Sequence, residues 1–85
     1  MKHAGAQTLR SLEPLLTRLR GLPALVERTP GSFYRKSKAF LHFHEDAAGI
    51  FADVKLDGAT FERLRVTTDD ERRILYARVM ESLRS

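Results

Sequence analysis

Apolar positions change their spacing several times along this chain, and each spacing points to a different element. Leu9, Leu12, Leu15, Leu16 and Leu19 recur at intervals of three and four, which stacks them on one face of a helix. Ser11 is placed to cap that helix, with Pro14 in its first turn, where a missing N–H costs little. Gly21 is expected to close it in a left-handed cap, and Pro23 blocks continuation. From Ala24 to Thr29 the pattern suits a short strand, ended by the Pro30-Gly31 turn signal. Ser32 to Lys36 and Lys38 to Glu45 then read as two strands joined by a tight basic turn at Lys36-Ser37.

Asp46-Ala47-Ala48-Gly49 predicts a second hairpin, with glycine where positive φ is commonly needed. This loop sets Glu45 opposite Ile50, Phe43 opposite Ala52, Leu41 opposite Val54 and Ala39 opposite Leu56. The resulting sheet face is apolar, while Phe40, His42, His44, Phe51, Asp53 and Lys55 share the other. A slip of one residue would mix the histidines into the apolar row, so burial selects the first register. Asp57-Gly58 marks a further turn. Thr60 to Val66 alternates as an edge strand, with Phe61, Arg63 and Arg65 on one face. A last helix starts at Thr68, which forms a capping box with Glu71, while Asp69 and Asp70 complement the helix dipole. Its apolar stripe is Leu75, Tyr76, Val79, Met80 and Leu83, flanked by Ile74. The acidic and basic residues from Asp69 to Arg78 read as its solvated face.

The expected fold is therefore α+β: an N-terminal helix, an antiparallel meander of four to five strands and a C-terminal helix. Residues 1–10 lack a settled pattern and are expected to form a frayed tail on a single domain spanning 11–85. With 85 residues and no cysteine, stability rests on packing alone or on a partner chain, a homodimer included. The N-terminus has no apolar secretory run and no window suits a membrane span, which makes the cytoplasm the default compartment.

Charge adds one further distinction. Residues 1–44 carry a net +6 and residues 45–85 a net −2, an asymmetry common among nucleic-acid binders. Arg35, Lys36 and Lys38, beside Tyr34, Phe33 and Phe40, are the matching candidates: cations hold phosphates while rings stack on bases. The bland alternative is a solvated hairpin tip beside core aromatics. His42 and His44 lie two apart on a strand and so point the same way. With Asp53 across from His42 they form a candidate site for a zinc-like divalent ion. The plainer reading is a half-buried His42–Asp53 pair. That pair could also serve as a general base. However, Ser32, Ser37, Thr60, Thr67 and Thr68 all fit turns or caps, and no nucleophile elbow surrounds them. No catalytic residue is therefore assigned.

The segments Leu22-Pro23, Phe33-Tyr34-Arg35-Lys36-Ser37-Lys38-Ala39-Phe40 and Gly49-Ile50-Phe51-Ala52-Asp53-Val54-Lys55 resemble small bacterial proteins of the MmcQ/YjbR-like group. The resemblance spans about residues 12–66 and omits that group's aromatic-rich later section. It implies a curled antiparallel sheet with flanking helices, and a DNA-binding role suggested for the group by fold analogy. It carries over no catalytic residue. The leading expectation is a non-enzymatic binding or interaction domain. Its surface would comprise Phe40, His42, His44, Phe51, Asp53 and Lys55 with the adjoining basic turn.

Overall fold

In a computed structural model, residues 2–84 are described as six strands and three helices. These are β1 (Lys2–His3), α1 (Ala6–Ser11), α2 (Glu13–Arg20), β2 (Val26–Thr29), β3 (Ser32–Arg35), β4 (Lys38–Asp46), β5 (Gly49–Val54), β6 (Glu62–Arg65) and α3 (Asp69–Leu83). The sheet runs β2-β3-β4-β5-β6 as an antiparallel meander, and β1 adds to β4. The architecture is the expected α+β, with helices at both ends of the chain. Among the described residues, no helix is long and apolar enough to cross a membrane.

The expected β4–β5 register is present: Leu41 pairs with Val54, His42 with Asp53, Phe43 with Ala52 and Glu45 with Ile50. Asp46 also pairs with Gly49, so the loop is tighter than four residues. Gly49 has φ +138°, and a Cβ there would run into the Thr67 side chain. The apolar face of this pair meets Leu12 at the α1–α2 junction, Leu15, Leu16 and Leu19 of α2, and Leu75 and Val79 of α3. The two helical stripes and the strand alternation thus share a single core.

Several expectations change. Residues 2–10 take up strand and helix rather than lacking a settled pattern: Lys2–His3 pairs with Glu45 and His44, and the Gly5 N–H donates to Glu45 Oε2. Ser11 does not cap. The leucine stripe is carried by two helices that meet at Leu12, and Ser11 Oγ donates to the Thr8 carbonyl inside α1. Pro14 needs this break, because its ring would clash with the turn before it in a continuous helix. Gly21 closes α2 with φ −76°, in the right-handed region rather than the left.

A further change bears on the site. On β4, Leu41 pairs with Phe33 and Ala39 with Tyr34, so Phe40 has no opposite number on β3. This bulge puts consecutive residues on one side of the strand. Phe40 and Leu41 are both buried in the core, while Ala39 lines a depression with Tyr34, His3 and His42. Phe40 therefore does not belong to the polar face.

The helix α3 begins with the expected capping box, Thr68 and Glu71 each bonding the other's backbone. Its apolar stripe is narrower than expected. Leu75 and Val79 are buried, but Met80 and Ile74 are exposed. Nor is its charged face wholly solvated. The Arg72 guanidinium is largely covered and donates to the carbonyls of Val66, Thr67 and Ser11, tying α3 to the segment after β6 and to α1.

Candidate metal centre

On the sheet face turned away from the helices, strand alternation brings His42 and His44 of β4 beside Asp53 of β5. Each residue offers one donor atom, and the three donors lie within 4.8 Å of one another. Asp53 Oδ2 is 2.9 Å from His44 Nε2 and 3.5 Å from His42 Nε2. Tetrahedral zinc with bonds of about 2.0–2.1 Å keeps its donors about 3.4 Å apart. Small side-chain rotations would therefore bring this set to that spacing. Lys55 and Phe51 border the face and contribute no donor.

The contact between His44 and Asp53 is close but poorly directed. His44 Nε2 is buried and has no aligned hydrogen-bond partner. An imidazole nitrogen without its proton and a carboxylate oxygen both present electron density, so 2.9 Å is a repulsive separation unless a proton or a metal ion lies between them. The His42 imidazole is pushed below its ordinary range, first by burial and then by the neighbouring His44. Burial there disfavours the charged ring and leaves a nitrogen lone pair available.

Three residues that the sequence reading left out complete the surroundings. Arg63 of β6 lies opposite Asp53 and grips it with two bonds, Nε to Oδ1 at 2.8 Å and Nη2 to Oδ2 at 3.0 Å. This grip, more than any other influence, holds the Asp53 carboxyl below its usual range. His3, brought in by β1, stacks on His44 with ring centroids 5.0 Å apart. Phe61 meets the His42 ring edge-on at 5.0 Å. The alternation of Phe61, Arg63 and Arg65 was a usable signal for the second strand face. Its register was not readable, because the Lys55–Gly58 turn is followed by an irregular stretch before β6 begins at Glu62.

The basic candidates are gathered elsewhere. Arg35, Lys36 and Lys38 line a depression at the β3–β4 hairpin tip together with Lys55. Tyr34 stands apart from that depression and carries the Arg28 guanidinium 4.7 Å above its ring. Comparison with protein-family models, with curated proteins and with solved structures returned no match to this chain. The fold and the site together describe an α+β domain carrying a His/His/Asp cluster on one sheet face.

Proposed function

We propose that this chain is a binding domain for a divalent transition-metal ion, with His42 Nε2, His44 Nε2 and Asp53 Oδ2 as its protein donors. The observation that carries the proposal is the buried His44 nitrogen facing a carboxylate oxygen without an aligned proton between them. A cation bonded to both atoms turns that repulsion into attraction. Two imidazoles and one carboxylate are donors suited to zinc and its neighbours. Such a set leaves a fourth position for water or a ligand, so the ion would also present a binding point of its own.

Arg63 sets the strength of the site. A carboxylate has about four lone-pair positions, and the guanidinium occupies one on each oxygen. Coordination therefore remains open at Oδ2, but the arginine charge opposes the ion's. A modest affinity follows, one that should tighten when Arg63 is neutralised.

Zinc titration followed by imidazole ¹⁵N chemical shifts tests the reading. One equivalent should move the Nε2 resonances of both His42 and His44 and raise the melting temperature. At a free zinc concentration a hundred times Kd, the gain in stability is about 2.7 kcal/mol. His44→Ala should abolish the response and Arg63→Gln should strengthen it. Unmoved resonances at excess zinc, or an undiminished response in His44→Ala, would refute the proposal.

A further inference from the structure

Two sets of cations stand out on this protein; Lys2, Arg10, Arg18 and Arg28 belong to neither, the last two lying over the rings of Tyr76 and Tyr34. Arg20, Arg63, Arg65, Arg72, Arg73, Arg78 and Arg84 each stand within ion-pair distance of a carboxylate. Arg35, Lys36, Lys38 and Lys55 do not pair with any carboxylate among the described residues, yet all four line one depression of about 280 Å³. Its remaining walls are Ala39, the buried Phe40 and Gly58. The nearby Asp57 is turned to its own loop, where Oδ1 accepts from the N–H groups of Ala59 and Thr60. Four like charges around one hollow repel each other, and among the described residues no carboxylate pairs with them, the Lys55 ammonium lying 4.9 Å over the Phe61 ring.

The backbone beneath them points the same way. Lys36 and Ser37 have φ of +52° and +68°, the left-handed region that tight hairpins require and that Asn-Gly fills at least cost. Here the turn carries lysine and serine instead. The bulge at Phe40 and the bond from the Lys55 N–H to the Phe40 carbonyl (2.9 Å) then hold Lys55, the residue just after β5, beside the hairpin. Local folding preference accounts for neither the lysine in the strained turn nor the gathering of the charges.

We propose that this depression binds a phosphate group, held by Arg35 through paired N–H donors and by Lys36, Lys38 and Lys55 as point charges. Phosphate has the charge and the several terminal oxygens needed to engage all four cations, which a carboxylate lacks. The group can belong to a small phosphorylated ligand or to a single nucleic-acid strand. This site uses none of the proposed metal donors, and the two proposals stand or fall separately.

Two probes separate these sources: inorganic tripolyphosphate and a fluorescein-labelled dT15 strand, each titrated at 50 mM salt. Both backbone amide shifts and anisotropy would be followed. Either probe should shift the amides of residues 35–38 and Lys55. Tighter binding of dT15 at equal phosphate concentration assigns a strand, and tighter binding of tripolyphosphate assigns a small ligand. If dT15 engages all four cations, its affinity should fall about 50-fold between 50 and 200 mM salt, against about 7-fold for the Lys36→Ala/Lys38→Ala variant. Lys36→Asn separates ligand binding from folding: it should raise the melting temperature by relieving the turn, and weaken phosphate binding. Absence of shifts with both probes overturns the proposal. So does equal binding of sulfate, or unchanged affinity in the double variant.

Discussion

Phe40 shows how one side chain's environment can oppose its place in an alternating pattern. Strict alternation puts it beside His42 on the polar face, whereas the bulge turns it into the core with Leu41. The two placements differ in energy by an amount that is easy to measure. Phe40→Ala should destabilise the fold by about 3–5 kcal/mol, the usual cost of emptying an aromatic site in a core. Urea denaturation gives this value, and a loss under about 1 kcal/mol would return Phe40 to the surface. His44 is the converse case. Its direction was legible from the spacing to His42, but its lack of an aligned partner depends on rings and oxygens from three strands.

Among elements, the link between α2 and β2 has a local electrostatic basis. The Arg20 guanidinium bonds both Glu27 and Glu13, and Glu27 also accepts from the Gly31 N–H. The Arg20 bond, more than the other contacts, holds the Glu27 carboxyl below its ordinary range. A depressed folded-state pKa adds stability that is complete above the unfolded value and is lost as pH falls through the folded one. Glu27→Gln should therefore cost about 1–2 kcal/mol at pH 7. The gap from the native protein should narrow as pH falls below about 4. Paired thermal melts at pH 7 and pH 3 check this, and a gap that stays constant or widens in acid would contradict it. The capping box of α3 was readable from Thr68 and Glu71 alone, because both partners lie within one turn. The long reach of Arg72 was not, since one of its three carbonyl partners, Ser11, lies 61 residues away in α1.

At the scale of the molecule, buried residues from α2, β3, β4, β5 and α3 form one cluster. The radius of gyration, 11.7 Å, matches the value of about 12 Å for a compact chain of this length. One core implies one cooperative transition. Tyr34 on the sheet and Tyr76 on α3 are the chain's only tyrosines, and it has no tryptophan. Intrinsic fluorescence in Tyr34→Phe and Tyr76→Phe variants thus reports each side separately. Both should unfold at the same urea concentration as the far-ultraviolet circular dichroism. A sheet signal lost before the helix signal would show two weakly coupled layers.

Taken by itself, the sequence determined what short-range geometry controls: the helical leucine stripe, the capping box, the hairpin turns and the β4–β5 register. Each rests on residues within a few positions, or on an apolar row whose burial rejects a one-residue slip. Tertiary structure decided the rest. It recruited residues 2–10, turned Phe40 inward through a bulge, joined Arg63 to Asp53 across a long connection and grouped Lys55 with the hairpin cations. These outcomes depend on which strand lies beside which, and chain separation hides that from any local pattern.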